Sequence, residues 1–123
     1  MKIAQAVLGK KGEDIVLLYV GEVSTLADYM LISSANSEPQ IWAIVDAVET
    51  VLIKNHSKPL GIEGAKASSW VLVDCGDLIV HIFRQETRRF YNLDGLWADA
   101  PRMDLMKTSS IIDAPKVQKR RVI

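Results

Sequence analysis

Residues 69–83 read SWVLVDCGDLIVHIF, two runs of β-forming residues on either side of Cys75-Gly76. This pattern predicts a β-hairpin with a two-residue loop, in which Gly76 supplies the positive φ that such loops need. In the register set by that loop, Asp74 lies opposite Asp77. We therefore expect a hairpin with two carboxylates beside its turn.

The two faces of this hairpin differ in composition, because side chains alternate along each strand. One face carries only aliphatic side chains, which we assign to the core: Val71, Val73, Leu78, Val80 and Ile82. The other face carries Trp70, Leu72, Asp74, Asp77, Ile79, His81 and Phe83, with Trp70 predicted opposite His81. Mixed aromatic and polar composition is typical of surfaces that bind a protein partner. We therefore predict that the second face contributes to a partner-binding site.

The segments around the hairpin predict a mixture of helices and strands. Apolar spacing and β-rich runs predict a helix over 2–9, strands over 14–20, 28–34 and 60–63, and short helical segments over 86–91 and 93–97. A longer helix begins after Ser37, an N-cap candidate followed by Pro39, and has an apolar stripe that ends at Leu52. The order predicts the α/β class: a single compact domain with a mixed sheet of about five strands flanked by helices.

Composition limits the function classes. The chain has 123 residues, and its 15 Lys and Arg balance its 15 Asp and Glu. This zero net charge excludes a nucleic-acid binder that works through bulk positive charge. Cys75 is the single cysteine, which excludes an internal disulfide and a multi-cysteine zinc site. We find no signal peptide and no membrane-spanning run, so we expect a cytoplasmic protein without membrane contact.

The titratable residues of the hairpin offer little support for catalysis. Asp74 and Asp77 can hold a cation if they face each other, but aspartates beside turns more often cap them. His81 has no predicted carboxylate neighbour to orient it, which favours a packed or interfacial imidazole. Phosphate-binding loops and dinucleotide glycine motifs are absent from the sequence. We expect no catalytic residues, no metal and no cofactor.

A longer set of residues resembles the ribosomal silencing factor family, also called the Iojap-like family. The resemblance covers residues 3–100. The matching residues are Asp14-Ile-Val16, Leu26-Ala-Asp-Tyr29, Ile32-Ser-Ser34, Glu63-Gly64, Trp70-Val-Leu-Val-Asp74, Gly76-Asp77, Val80-His-Ile-Phe83, Arg88-Arg89, Tyr91-Asn-Leu93 and Leu96-Trp97.

This resemblance implies a fold with a nucleotidyltransferase-like layout and a translation repressor without that catalytic activity. Its partner would be the large ribosomal subunit, contacted through ribosomal protein fourteen at the inter-subunit face. A factor seated there blocks joining of the small subunit and lowers translation under nutrient limitation. The resemblance also implies a homodimer when the protein is free.

The hairpin face and the resemblance together predict the partner-binding residues: Trp70, Asp74, Asp77, His81, Arg88, Tyr91, Asp94 and Trp97. We expect residues 1–100 to form the ribosomal silencing factor domain. Residues 101–123 would be an extension with a mobile basic tail, either a solvated end or a segment in weak contact with ribosomal RNA. Two alternatives remain: an adaptor for large-subunit assembly, and a magnesium-dependent nucleotidyltransferase-like enzyme that uses Asp74 and Asp77.

Overall fold

The computed structural model describes residues 2–65, 67–105 and 117–118. It confirms the α/β class and the mixed sheet flanked by helices. The helices are α1 (Lys2–Gly9), α2 (Glu38–Lys54), α3 (Gln85–Tyr91) and α4 (Leu93–Leu96). The strands are β1 (Glu13–Tyr19), β2 (Tyr29–Ala35), β3 (Gly61–Glu63), β4 (Trp70–Asp74), β5 (Leu78–Arg84), β6 (Arg102–Leu105) and β7 (Val117–Gln118).

The strands form one sheet in the order β3-β4-β5-β2-β1-β6-β7, seven strands within the described ranges rather than about five. β2 and β5 are parallel neighbours, and the other adjacent pairs are antiparallel. A parallel pair needs a long crossover connection, which α2, β3 and β4 provide here. Among the helices of the described ranges, none combines the length and the apolar character needed to span a bilayer.

One face of the sheet is covered by α1 and α2. Ser37 caps α2 as predicted, because its hydroxyl accepts a hydrogen bond from the Gln40 N–H at 3.2 Å. The predicted apolar stripe of α2 is buried, from Ile41 to Leu52. It packs against the aliphatic face of the hairpin, which includes Val71 and Val80. The core assignment made from side-chain alternation is therefore confirmed.

The second face of the sheet has a separate apolar cluster. Its buried members are Val16, Leu18, Val20, Met30, Ile32, Phe83 and Ala100. Trp70, Leu93 and Trp97 are partly buried and pack against this cluster. The segment from α3 to Ala100 therefore supplies part of the cover on this side, without a long helix.

The predicted register of the hairpin is wrong by two residues. Trp70 pairs with Phe83, Leu72 with His81, and Asp74 with Ile79. The loop consists of Gly76 and Asp77, closed by a Cys75 N–H to Leu78 carbonyl bond of 2.8 Å. Gly76 has φ +92° and is the first loop residue, as in a type II′ turn, rather than the second. An even shift leaves every side chain on its predicted face, so the composition of the two faces stands.

The sheet extends beyond the predicted domain boundary at residue 100. β6 pairs with β1, and Leu105 is buried in the core under α1 and α2. The short strand β7 pairs with β6. Alternation in β6 covers four residues, too few to stand out in the sequence. The predicted mobile basic tail falls largely on 106–116 and 119–123, which lie outside the described residues.

Replacement of the loop glycine tests the corrected turn. We expect Gly76→Ala to lower the free energy of unfolding by about 1–2 kcal/mol, because a left-handed φ is costly for a residue with a Cβ. A steric clash would not contribute to this loss, because the atom nearest to an added Cβ would be Leu60 Cδ1 at 3.9 Å. Gly61→Ala is the matched control: it has no neighbour within 4 Å and no positive φ. Urea denaturation measures both, and equal stability of the two variants would contradict this turn.

Candidate functional site

Trp70 is the centre of an aromatic cluster on the second face of the sheet. Its ring stacks on Phe83 with centroids 4.8 Å apart, and its other neighbour is Tyr91 of α3 at 4.9 Å. Trp70 Nε1–H donates a hydrogen bond to His81 Nδ1 at 3.1 Å. The cross-strand partner of Trp70 is Phe83, so this bond runs diagonally across the hairpin. The cluster therefore fixes the Trp70 side chain from the sheet side and from α3.

His81 supports this cluster from below and does not reach the surface. Its residue exposure is 4%, and burial lowers its pKa to about 4. The imidazole is thus neutral at pH 7, with Nδ1 as acceptor and the proton on Nε2. Nε2 is buried and has no hydrogen-bond partner among the described residues. A packed histidine, one of the two roles expected from the sequence, therefore fits the geometry better than direct contact with a partner.

The outer surface of α3 presents aromatic side chains to solvent. Phe90 is 80% exposed and Tyr91 is 53% exposed, and their rings meet edge to face at 5.1 Å. We call Trp70, Phe90 and Tyr91 the aromatic surface. Contiguous exposed apolar side chains often mark an interaction site, and aromatic side chains are enriched at protein interfaces.

Arg88 fastens α3 and α4 to the edge of the sheet. Its Nε and Nη2 donate to the two carboxylate oxygens of Asp94 at 3.1 and 2.8 Å. Its Nη1 donates to the Asp14 carbonyl at 2.7 Å and to Ser34 Oγ at 2.9 Å. The Arg88 side chain is only 11% exposed. Arg88 and Asp94 therefore form a structural pair behind the aromatic surface.

An irregularity at the start of β1 places a backbone carbonyl within reach of Arg88. Asp14 has φ +49°, and the β1–β2 register is interrupted between Glu13 and Val16. This irregularity turns the Asp14 carbonyl out of the ladder and leaves it as an acceptor for Arg88. Burial alone would raise the pKa of Asp94, but the hydrogen bonds and charge of Arg88 outweigh it and hold that pKa below its usual value.

Asp74 and Asp77 lie at the other end of β4 from Trp70. Trp70 and Asp74 are four positions apart along the strand, a distance of about 13 Å. Asp74 Oδ1 accepts from the Gly76 N–H at 2.9 Å, so Asp74 caps the turn. Asp77 is exposed, and its carbonyl accepts from the N–H groups of Asp28 and Tyr29. The predicted facing pair of carboxylates is wrong, because the register places Asp74 opposite Ile79.

Trp97 and Phe90 differ in exposure from what the predicted site implies. Trp97 is partly buried against the apolar cluster of the second face, so its ring is only in part available to a partner. Phe90, the most exposed aromatic residue of the described ranges, is absent from the predicted site. The sequence offered one signal for Phe90, its position beside Tyr91 in a short predicted helix. The structure shows that no residue of this helix is buried.

The titratable groups near the turn show no sign of activation. Burial and, secondarily, the Asp74 charge raise the pKa of the Cys75 thiol to about 11, so it stays protonated at neutral pH. In the part of the chain that the structure describes, no three His, Cys, Asp or Glu side chains come together in a metal-binding arrangement. An exposed aromatic surface on a rigid support is instead typical of a protein-binding domain.

Comparison with known proteins identifies the family. The family model described as ribosomal silencing factor during starvation matches residues 1–122. A ribosomal silencing factor of Bacillus subtilis is 42% identical over 106 residues, which cover 85% of this chain and 90% of that protein. A crystal structure of a Chromobacterium violaceum protein superposes with a TM-score of 0.76 at 30% identity, over 79% of this chain and 81% of that one.

A more distant relative comes from Mus musculus and is named mitochondrial assembly of ribosomal large subunit protein 1. It is 32% identical over 91 residues, which cover 72% of this chain and 40% of that protein. The extent of the family match and the identity to the bacterial relative settle the classification. The chain belongs to the ribosomal silencing factor family.

The buried histidine predicts a pH dependence of stability. An unfolded histidine titrates near pH 6.5 and His81 in the fold at about 4, so the unfolded chain binds more protons between these values. The contribution of neutral His81 is therefore complete above pH 6.5 and is lost as the pH falls towards 4, at most about 3 kcal/mol. Urea denaturation between pH 7 and 4.5 measures this loss.

Two histidine variants separate this effect from other titrations. His81→Phe should flatten the stability profile over that pH range. His56→Asn should leave it unchanged, since His56 is exposed after the end of α2. A profile for His81→Phe as steep as that of the parent protein would show that His81 is not the responsible group.

Neighbouring arginines provide a matched test of the Arg88 pair. Arg88→Lys should reduce the free energy of unfolding by about 2 kcal/mol, because lysine cannot reproduce the two-oxygen contact with Asp94 and the bonds to Asp14 and Ser34. Arg89→Lys, on the exposed side of α3, should change it by less than about 0.5 kcal/mol. Thermal and urea unfolding measure the stability of both variants. A similar loss of unfolding free energy in Arg88→Lys and Arg89→Lys would refute the structural role of Arg88.

Proposed function

We propose that this protein binds the large ribosomal subunit through ribosomal protein fourteen at the inter-subunit face. Bound there, it prevents the small subunit from joining and lowers translation under nutrient limitation. The proposal rests on membership of the ribosomal silencing factor family together with one structural observation. That observation is the aromatic surface, with Phe90 80% exposed and Tyr91 53% exposed beside Trp70.

The aromatic surface suits a protein partner because it is exposed and also rigid. Trp70 is fixed by Phe83 and His81, and α3 is fixed by the Arg88 network. A rigid aromatic anchor loses little conformational entropy on binding, so most of its buried apolar area contributes to affinity. In this proposal Trp70, Tyr91 and Phe90 are the principal contact residues.

The remaining predicted site residues have different roles in the proposal. His81, Arg88 and Asp94 position the aromatic surface from behind and do not touch the partner. Trp97 contacts the partner through the exposed part of its ring. Asp74 and Asp77, at the hairpin turn, act through charge, since carboxylates at an interface attract a basic ribosomal protein and speed its association.

Repression by steric blocking requires no chemical step on the part of this chain. We propose a cytoplasmic protein that is not an enzyme and that forms a homodimer when it is free. The alternative metal-dependent enzyme finds little support, because Asp74 is engaged in capping the turn and does not face Asp77. Magnesium-dependent binding of a nucleotide by the purified protein would revive that alternative.

Substitution of the exposed aromatic residues tests the proposal. Phe90→Ala combined with Tyr91→Ala should weaken binding to purified Bacillus subtilis large subunits by about 30-fold or more, as expected for two interface anchors. Unfolding curves establish that the double variant is folded, because Tyr91→Ala also removes the ring that packs on Trp70. Ile53→Ala is the control: Ile53 is 64% exposed on α2, which covers the other face of the sheet.

Co-sedimentation through sucrose gradients measures binding, and a subunit-joining assay measures its consequence. The parent protein and Ile53→Ala should migrate with the large subunit and reduce the amount of assembled ribosomes. The double variant should do neither. Undiminished binding by a folded double variant would remove the aromatic surface from the interface, and absence of binding by the parent protein would contradict the proposed function.

A role in large-subunit assembly is the second candidate function. The observation that favours it is the name of the Mus musculus relative, which refers to mitochondrial assembly of the ribosomal large subunit. Association with immature large-subunit particles, in preference to mature ones, would support assembly over repression.

A further inference from the structure

A pocket lined by none of the residues of the aromatic surface lies between two other segments. One wall comes from the end of β1 and the loop after it, with Tyr19, Glu22 and Val23. The other wall is residues 96–101, including Leu96 and Trp97. Val23 is 71% exposed and Leu96 is 72% exposed, so the walls of this pocket carry apolar surface that the described fold does not cover.

Backbone hydrogen bonds hold both walls in place. The loop after β1 is closed at its base by the Val20 N–H to the Asp28 carbonyl at 2.8 Å. The Tyr19 N–H donates to the Pro101 carbonyl at 2.9 Å, which ties the first wall to the second. The Tyr19 ring is further supported by Tyr29, edge to face at 5.3 Å. The pocket is therefore present before any partner binds.

The size of the pocket suits a side chain better than a cofactor. Its volume is about 270 Å³, below the range of roughly 300–1,000 Å³ that is usual for small-molecule sites. Its apolar lining includes Val23, Leu96, Ala100 and Pro101, with the ring of Trp97. One large apolar side chain of a partner would fill such a space and remove these groups from water.

The rim of the pocket is acidic. Glu22 and Asp99 line it and are exposed, and Asp28 is exposed at the end of the same loop. Asp77 is adjacent, because its carbonyl accepts the Asp28 and Tyr29 N–H groups. Neither 19–29 nor 93–101 contains a lysine or arginine, and Arg102, the next residue, pairs with Asp104 at 2.7 Å. This charge disfavours phosphate backbones and anionic lipid surfaces.

We infer that the pocket between Tyr19–Val23 and Leu96–Pro101 is a second docking site, and that it takes one apolar side chain from a basic protein segment. Lysines or arginines that flank this side chain would lie against Glu22 and Asp99. The inference rests on the proposed function, since it assigns the segment to a protein of the large ribosomal subunit. It adds an anchor that is independent of Trp70, Phe90 and Tyr91.

Two pairs of variants test the inference with the full chain and purified Bacillus subtilis large subunits. Val23→Ser with Leu96→Ser removes the apolar walls, and Ile53→Ser with Leu60→Ser is the control at exposed apolar residues elsewhere. Glu22→Lys with Asp99→Lys reverses the rim charge, and Asp46→Lys with Glu49→Lys makes the same charge change on α2. Unfolding curves establish that each variant is folded.

We expect the two pocket variants to bind large subunits about tenfold more weakly or worse, while the two controls bind like the parent. Raising the salt concentration should bring the affinity of the charge-reversed pocket variant for large subunits closer to that of the parent, because salt screens exposed charges. Binding by both pocket variants equal to their controls would overturn the inference and leave the proposed function standing.

Two other results have distinct meanings. Failure of the parent protein itself to bind would refute the proposed function, and this inference with it. Loss of self-association in the pocket variants, measured by light scattering, with ribosome binding unchanged, would assign the pocket to a second copy of this chain and overturn the inference.

Discussion

The contact of the Arg88 guanidinium with three separate parts of the chain is the interaction on which the aromatic surface depends. It joins the irregular start of β1, the buried Ser34 of β2 and Asp94 of α4. α3 and α4 are too short to be stable alone, and α3 buries no residue. Two further contacts of α3 support this anchor: Gln85 Nε2 donates to Glu13 Oε1 of β1 at 2.8 Å, and the Tyr91 ring packs on Trp70.

This anchor explains how the two faces of one sheet have different tasks. The face under α1 and α2 is aliphatic and supplies the main core, where α2 is long, capped and amphipathic. The opposite face is covered by short elements that leave Phe90, Tyr91 and Leu96 in water. The main core therefore lies on one side of the sheet, and the other side presents exposed apolar side chains.

Much of the fold could be predicted from local patterns because those patterns are strong. The Ser37 cap and the apolar stripe of α2 define a helix at single-residue level, and the strand alternation of the hairpin identifies the buried face. The hairpin register could not be predicted, because Cys75-Gly76 and Gly76-Asp77 are both plausible loops. Only the positive φ of Gly76 at the first loop position and the Asp74 cap decide between them.

The candidate site could be predicted in part for a similar reason. Trp70 and Tyr91 come together as expected, but the sequence does not show which polar residues are used internally. Arg88 bonds to Asp94, Ser34 and Asp14, and His81 accepts a hydrogen bond from Trp70 at Nδ1. These bonds join residues 11 positions apart for His81, and 54 and 74 positions apart for Ser34 and Asp14 with Arg88. Phe90 and the pocket at Leu96 were missed, because exposure of an apolar residue is a tertiary property that a short helix does not reveal.

The most direct test of the central claim is an electron cryo-microscopy structure of this protein bound to the large ribosomal subunit. We predict that the surface formed by Trp70, Phe90 and Tyr91 faces ribosomal protein fourteen at the inter-subunit face, with α2 directed away from that protein. A bound protein that contacts the subunit through α2, or at a site from which the small subunit is not excluded, would contradict this prediction.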